Sequence, residues 1–565
     1  MPTASADQLL ARLEKFRRGS PQPGMILETI TALDRARLTD SERLLRFHDA
    51  LLFLCAFPPS EKLLKRAEEV LASTGKRIAF LARSGAISAD LDPEFSGLAD
   101  TRIGAVFSFD LVRWLLSTFP GQLQLDLEEP PDTQNLASLL TLILPFLEEE
   151  ANVEANVPYT DLLQLLTRCF DDRGLSWLIQ QIEQIAPPSL RAPLFDSLKL
   201  WIRWDIRSIE VTRTSMRRPP RKIFLQQTPI ISRSEVSISD ELKSRAIPIR
   251  KLRPGEGRRV LDMARSVLAT RYRELYVFTW GDPSTILSAD CGRGLEILLI
   301  GIVPEKRLPL RAGFAPLILR NGIPIGYGDA FAICERIEVS LNIFYAFRDG
   351  ESAFALARLL KLYRQLFGST TFSIDPYQIG MENEEAIASG AFWFYRKLGF
   401  RPTDPAVEAI ALREERRMAA DTAHRSQPAT LRRLSRSAMM YESQPAEGWN
   451  RFSTRAVDEA VQRAFARSTQ TLAAFTEDAA TRINSILGAN GKRFAEAERR
   501  ALRDLAPVLS LVPDLERWNE EELRGLSNII RAKAGGDEST YVQLTAGHAR
   551  FRRALLRLGS SRRSK

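Results

Sequence analysis

The sequence predicts an α/β fold in its centre, a mixed sheet with helices on both faces, flanked by all-α regions on either side. Three observations predict this class. Apolar residues recur at helical spacing up to about residue 215, strand-like runs alternate with amphipathic segments over 241–410, and polar helical sequence returns after residue 456. With 565 residues, the chain has room for several domains.

Changes in composition divide the chain into five parts. We predict a helical domain at 1–215, a linker at 216–240, an α/β domain at 241–410, a second linker at 411–455 and a helical C-terminal region at 456–565. The first linker begins with the run RRPPR, and the second is rich in Ser, Gln and Arg. Such stretches are typical of connecting segments.

The charge balance of the chain is basic. Lys and Arg number 79 against 70 Asp and Glu, which gives a net charge of +9. Acidic residues are interspersed with basic ones except in the C-terminal tail RFRRALLRLGSSRRSK, which contains no acid. This tail could contact a polyanion such as RNA, and a solvated chain end is the alternative.

The remaining bulk features point to the cytoplasm. The chain has no run of 18 apolar residues, so we expect no membrane span and no membrane partner. Its N-terminus lacks the basic start and apolar block of a secretory signal. The four cysteines form no CxxC pair and the chain has three histidines, so we expect neither a disulfide framework nor a metal site.

The pattern of apolar residues sets the elements of the central domain. We predict a strand, a helix and three further strands, in that order, at 247–252, 260–275, 295–303, 317–320 and 323–327. Asn321-Gly322 joins the last two strands, and this pair predicts a type I′ hairpin because both turn positions need positive φ. The first half of the domain is therefore predicted to be largely antiparallel.

The second half of the domain begins with a long alternating run. Residues 337–347 alternate apolar and other side chains, which predicts one continuous strand with Glu338 on the face opposite the apolar row. A buried helix over 354–366 ends at Gly368, a short strand follows at 372–374, and a second helix over 382–398 ends at Gly399.

This order of elements, together with the segment AFWFYRKLGF at 391–400, resembles the core of the GNAT superfamily of N-acetyltransferases over about 240–405. The resemblance implies that a strand opens onto a helix whose first amides hold the pyrophosphate of acetyl-CoA. Family members show Arg/Gln-x-x-Gly-x-Gly/Ala at that turn, and the matching window here is FRDGES. The implied cofactor-binding residues are Phe347, Arg348, Gly350, Ser352 and Ala353.

The same resemblance implies two catalytic residues. Tyr395 would be the general acid that protonates the departing CoA thiolate, and its alternative role is to pack its ring against the sheet. Glu338 would be the general base that deprotonates the acceptor amine, and its alternative is a solvated or salt-bridged strand residue. The implied co-substrate is acetyl-CoA or another acyl-CoA, with no metal.

The function implied by the resemblance is transfer of an acetyl or other acyl group from CoA to an amine of a small molecule or protein. Asp349 and Glu351 beside the phosphate turn, and Ala388 where the family often has Asn, favour a second interpretation. In that interpretation the domain is degenerate and serves as a binding module or scaffold. A third is an aminoacyl-tRNA-dependent transferase of the same fold, with the basic tail on RNA.

Overall fold

The protein is a mixed α/β molecule built around one large sheet. The computed structural model describes residues 5–17, 22–36, 38, 40–129, 131–144, 154, 158–445 and 448–560. Within these residues, eleven strands form a mixed sheet and three more form a small antiparallel sheet. Helices surround both sheets. The predicted α/β class is confirmed at this level.

Four helices precede the first strand. They are α1 (Ala6–Lys15), α2 (Pro23–Ala36), α3 (Ser41–Ala56) and α4 (Glu61–Arg83). Asp40 and Ser60 cap α3 and α4, because their side chains accept from the backbone amides of Arg43 and Leu63. Every residue of α3 from Phe47 onwards is buried. This helix therefore lies inside the molecule rather than on its surface.

The region up to residue 215 is not all-α, so that prediction is wrong. Its second half contains β1 (Arg102–Val106), β2 (Leu123–Asp126) and β3 (Trp201–Asp205), in the antiparallel order β1-β3-β2. The described helices that accompany them include α5 (Phe109–Thr118), α6 (Thr133–Ile143), α7 (Tyr159–Thr167), α8 (Leu175–Gln184) and α9 (Arg191–Ser197). These strands are short, and β3 pairs with two strands that lie far from it in the sequence. Apolar spacing alone does not reveal such pairing.

The large sheet runs through the rest of the chain. Its strands are β4 (Ile249–Lys251), β5 (Gly281–Asp290), β6 (Leu295–Ile302), β7 (Ala312–Arg320), β8 (Ile323–Tyr327), β9 (Ala330–Ile333), β10 (Arg336–Val339), β11 (Asn342–Ile343), β12 (Thr371–Ile374), β13 (Arg401–Pro402) and β14 (Met439–Glu442). The order is β13-β14-β12-β10-β9-β7-β6-β5-β4, and β8 pairs with β7 and β11. Asn321 and Gly322 have φ of 47° and 80°, so the predicted hairpin is confirmed.

The predicted single strand over 337–347 is wrong in its second half. It is interrupted after β10, resumes as the two residues of β11, and ends in a 3-10 turn at Tyr345–Phe347. The interruption occurs where the backbone amide of Ser340 donates to the carbonyl of Asp329 at 2.9 Å, and the amide of Asp329 donates to the Ser340 hydroxyl at 2.8 Å. These bonds hold the chain toward β8 and away from β12.

A parallel crossover follows that kink. Helix α13 (Ser352–Phe367) connects β10 to β12, which pair in parallel, and Gly368 ends the helix with φ of 72° as predicted. The last pair in the register is Glu338 with Ser373. Beyond it β11 pairs with β8 instead of β12, so the two parallel strands part.

Two further predictions fail after β12. The predicted helix over 382–398 is broken at Gly390, whose φ is 66°, into α14 (Glu384–Ser389) and α15 (Ala391–Lys397). The predicted linker over 411–455 contains the strand β14, which pairs with both β12 and β13 and therefore belongs to the sheet. Helices α16 (Pro405–Ala420) and α17 (Pro428–Leu434) lead into it.

The remaining helices complete the two faces of the sheet. They are α10 (Ile238–Lys243), α11 (Pro254–Ala269), α12 (Tyr276–Thr279), α18 (Thr454–Ser468), α19 (Leu472–Leu487), α20 (Glu496–Leu509), α21 (Glu520–Ala534), α22 (Ser539–Gly547) and α23 (Ala549–Gly559). One face joins the N-terminal and C-terminal helices in a single apolar core, and the other packs on α11 and α12. Among the described helices, none is long and apolar enough to cross a membrane.

Candidate functional site

A cleft of about 640 Å³ opens where β11 leaves β12. Most of its walls come from the end of β8, β11, the start of α13, the turn at Pro376–Ile379 with α14 and α15, and the loop after α11. Pro93, Ile231 and Arg233 complete the lining. Gly350, Ser352, Ala353 and Tyr395, which lie up to 45 positions apart in sequence, all line it. Arg348 lines it as well, so the cleft brings together five of the predicted site residues.

The start of α13 is open toward this cleft. The backbone amides of Ser352, Ala353 and Phe354 donate to no group of the described residues, and no side chain caps the helix. Unpaired amides at a helix start carry partial positive charge and are suited to an anion. The helix start is thus available to a ligand rather than filled by the protein.

Gly350 shapes the turn that precedes the helix. Its amide donates to the carbonyl of Phe347 at 2.8 Å. A Cβ atom at this position would lie 2.9 Å from that same carbonyl oxygen and 2.9 Å from Cζ of Phe57. Glycine is therefore required here by close approach of the backbone and an aromatic ring.

The carboxylate of Glu351 points away from the cleft. It accepts from Arg293 Nη2 at 2.5 Å and from Arg320 Nη1 at 2.9 Å, and it also accepts from the amide of Ile231 at 3.2 Å. Glu351 is 6% exposed and Arg320 is 1% exposed. Two guanidinium groups thus compensate the charge that the sequence places next to the phosphate turn, and neither Glu351 nor Asp349 lines the cleft.

Two of the predicted cofactor-binding residues do not fulfil the prediction as made. Phe347 is 1% exposed and belongs to the apolar core, so its side chain does not line the cleft and the geometry does not support its predicted role. Arg348 does line the cleft. Its guanidinium pairs with Glu385 and lies 3.6 Å from the centroid of the Tyr345 ring, so it is held by protein groups.

Tyr395 lies at the wall of the cleft with its ring almost fully buried. It is 3% exposed and packs edge-on against Phe394 and Phe400, with ring centroids 5.2 and 5.6 Å away. Its hydroxyl has no hydrogen-bond partner among the described residues, and burial raises the pKa of this phenol above its ordinary value. A phenol in this setting stays protonated at neutral pH and can donate a proton to a ligand.

Glu338 is not among the residues that line the cleft, so the geometry does not support its predicted role as the base. Its carboxylate pairs with Arg311 Nη1 at 3.2 Å and with Arg336 Nη2 at 3.8 Å. The kink at Ser340 separates β10, which carries Glu338, from the part of the chain that lines the cleft. The salt-bridged alternative describes this residue.

Sequence patterns missed two other titratable residues of the cleft, Asp329 and Tyr327. Ser340 donates its hydroxyl proton to Asp329 Oδ1 at 2.5 Å. Burial raises the pKa of the Asp329 carboxyl, and this hydrogen bond opposes the rise. A signal existed in the sequence, since a carboxylate directly after the buried run IPIGYG is unusual, but only the kink of the chain brings Asp329 to the cleft.

The basic tail is partly engaged by acids. Arg550 Nη1 pairs with Glu522 at 2.7 Å, and the guanidinium of Arg552 pairs with Glu335. The tail contains no acid of its own, but acids from other parts of the chain pair with two of its arginines. Arg562, Arg563 and Lys565 lie outside the described residues, so the predicted RNA contact stays a prediction for that end of the chain.

A larger groove, of about 960 Å³, lies between α5 and α11. The α11 carboxylates that line it are already paired. Glu256 accepts from Arg250 Nη1 at 2.9 Å, and Asp262 accepts from Trp114 Nε1 at 3.1 Å. The cleft at the parted strands is therefore the better candidate site, because free amides and two buried tyrosines converge there.

The described residues contain no group of three or more His, Cys, Asp or Glu side chains arranged to hold a metal ion. Comparison of the chain with protein families, with curated proteins and with solved structures gives no match in any of the three. The candidate function is therefore argued from the cleft itself.

Proposed function

We propose that the protein is an acyl-CoA-dependent N-acyltransferase of the GNAT type, which moves an acetyl or similar acyl group to an amine. The observation that carries the proposal is the convergence of three features in one cleft. These are the free amides at the start of α13, the parting of β11 from β12, and Tyr395 with its unpaired hydroxyl at the cleft wall. The cytoplasm is the compartment in which we expect this activity.

The donor would bind along the parted strands. The amides of Ser352, Ala353 and Phe354 would donate to the diphosphate of the acyl-CoA, with the positive end of the helix dipole behind them. Among the described strands β11 pairs with β8 alone, which leaves room for the pantetheine arm on its other side. The inward position of Glu351 supports this mode, since its carboxylate does not face the diphosphate.

The reaction would be direct transfer between the two substrates. The neutral amine nitrogen attacks the thioester carbonyl carbon, a C–N bond forms and the C–S bond breaks. Asp329 accepts the proton that the amine loses, and Tyr395 donates its hydroxyl proton to the departing sulfur. Return of the proton from Asp329 to Tyr395 restores both side chains, so the products are an amide and the free CoA thiol.

Calorimetric titration with acetyl-CoA tests the proposal. We compare the parent with Ser352→Glu, because a glutamate in the first turn of α13 suits the helix dipole but repels a diphosphate. Ser352→Gln is the matched neutral control. We expect the dissociation constant to rise at least about tenfold in Ser352→Glu only, which corresponds to about 1.4 kcal/mol.

The absence of binding heat in the parent would overturn the proposal. Tight binding that is equal in all three proteins would place the donor elsewhere and would also overturn it. Binding at Ser352 without acyl transfer to any amine would favour the degenerate binding domain that Ala388 and the paired Arg348 suggest.

A further inference from the structure

Arg271 is a buried arginine that faces the cleft. It lies in the loop after α11, is 9% exposed, and lines the cleft together with Tyr327 and Asp329. Its Nη1 donates to the carbonyl of Val267 at 2.8 Å, and its guanidinium carbon lies 4.1 Å from the centroid of the Phe344 ring. Burial lowers the pKa of Arg271 to about 9, so it still carries its charge at neutral pH.

The charge of Arg271 has no acidic partner among the described residues, and this distinguishes it from the other buried arginines. The buried arginines in the described part of the chain include Arg213, Arg271, Arg320 and Arg396. The other three pair with carboxylates, namely those of Asp49, Glu351, and both Glu408 and Glu415. The acid that acts on Arg271 through space, Asp49, is already held by Arg213.

An uncompensated buried guanidinium is unfavourable unless a counter-charge reaches it. The open side of Arg271 is the cleft, so the counter-charge can come from a ligand there. Its planar fork suits a carboxylate, and stacking on Phe344 fixes the orientation of that fork. The same cleft offers Asp329, whose carboxylate attracts an amine. Arg271, Asp329 and Tyr327 all line this cleft.

We propose that Arg271 binds the carboxylate of the acyl acceptor, and that the acceptor is therefore a small molecule with both an amine and a carboxylate, such as a free amino acid. This inference rests on the proposed acyl transfer. The amine of the acceptor is directed to Asp329 and its carboxylate to Arg271. Plain amines, which lack the second group, are then poor acceptors because Arg271 stays unpaired in their complexes.

The test measures release of the CoA thiol from acetyl-CoA with the twenty common amino acids and with matched amines that lack the carboxylate, for example phenylalanine against 2-phenylethylamine. We compare the parent, Arg271→Met, Arg271→Lys and the exposed-residue control Arg416→Met. We expect kcat/KM to favour the best amino acid over its matched amine by at least about tenfold. Arg271→Met should abolish that preference by raising the KM for the amino acid, while Arg271→Lys should retain part of the preference.

Two results would overturn the inference. One is turnover of the matched amines by the parent with a kcat/KM equal to or higher than that of the amino acids. The other is a weaker dissociation constant for acetyl-CoA in Arg271→Met with an unchanged KM for the acceptor, because Arg271 would then bind a phosphate of the donor.

A binding measurement without acetyl-CoA separates this inference from the proposed function. We expect at least one amino acid to raise the melting temperature of the parent and of Arg416→Met, but not of Arg271→Met. If acetyl-CoA does not bind the parent while this difference is seen, the acyl transfer is wrong and the carboxylate site stands. If no amino acid gives the difference, the carboxylate site is wrong whatever the donor does.

Discussion

Two buried arginines on different sides of the start of α13 have opposite surroundings. Arg320, away from the cleft, donates to Glu351 and to Gln226 Oε1 at 2.7 Å, and its guanidinium lies 4.6 Å from the Phe57 ring centroid. Arg271, in the cleft, has one backbone carbonyl and one aromatic ring. The first guanidinium is balanced by the protein, and the second is not.

The difference separates a structural role from a binding role. The cluster of Arg320, Glu351 and Arg293 connects the N-terminal helices, the segment before α10, β7 and α13, and it therefore fixes where the amides of α13 point. Arg271 contacts few elements, and at the wall of the cleft its charge is unpaired among the described residues. Charge balance, more than burial, thus distinguishes the residues that hold this fold from those that we expect to meet a ligand.

The largest expected effect comes from breaking the balanced cluster. Glu351→Ala should lower the free energy of unfolding by about 3–5 kcal/mol, because it leaves Arg320 buried without its carboxylate. Glu338→Ala removes the partly exposed pair with Arg311 and the longer contact with Arg336, and it should lower the free energy of unfolding by about 1 kcal/mol. Urea denaturation of the intact chain measures both, and equal losses would contradict the distinction.

Removal of the hydroxyl of Tyr395 should have the second-largest effect, on kcat rather than on stability. Tyr395→Phe is expected to lower kcat at least about 100-fold, while the dissociation constant of acetyl-CoA and the melting temperature stay unchanged, because the ring still packs between Phe394 and Phe400. The control is Tyr441→Phe, whose ring also packs on Phe400, at 5.7 Å, but outside the cleft. Equal activity of Tyr395→Phe and Tyr441→Phe would remove Tyr395 from the chemistry.

The pH profile of kcat/KM tests Asp329. Because burial raises the pKa of its carboxyl above the ordinary 3.8, the base should be lost to protonation as the pH falls through that raised pKa. Ser340→Ala removes the hydrogen bond that lowers this pKa, so the acidic limb should move to higher pH. Asp329→Asn should remove the limb together with most of the activity. An unmoved limb in Ser340→Ala would assign it to another group.

The smallest effect on stability is expected for substitution of Arg271, whose charge has no acidic partner among the described residues. Arg271→Met should change the free energy of unfolding by about 1 kcal/mol or less, because removing an uncompensated buried charge offsets the lost contact with Phe344. Arg320→Met should cost at least about 2 kcal/mol in the same urea experiment, because it takes a hydrogen bond from buried Glu351. Similar losses in the two variants would show that Arg271 is structural as well.

The parts of the fold that could be predicted have local signals. Asn321-Gly322 specifies its hairpin through two positive φ angles, and Gly368 ends α13 in the same way. Tyr395 could be placed at a site because its surrounding motif is contiguous in sequence. Gly350 could be predicted for the same reason, although the ring of Phe57 that forbids a side chain there could not.

What could not be predicted depends on distant partners. β14 lies in a stretch rich in Ser and Arg and becomes a strand because it fills the space between β12 and β13. Asp329 reaches the cleft only because Ser340 turns the chain, and the same turn leaves Glu338 outside it. Arg271 belongs to no sequence motif. It stands out only because no acid among the described residues pairs with it in the folded structure.

A crystal structure of the protein with acetyl-CoA tests the central claim most directly. We predict the diphosphate within hydrogen-bonding distance of the amides of Ser352 and Ala353, and the thioester sulfur beside the hydroxyl of Tyr395. Acetyl-CoA bound away from the parting of β11 and β12, or crystals grown with saturating acetyl-CoA that hold none, would contradict it.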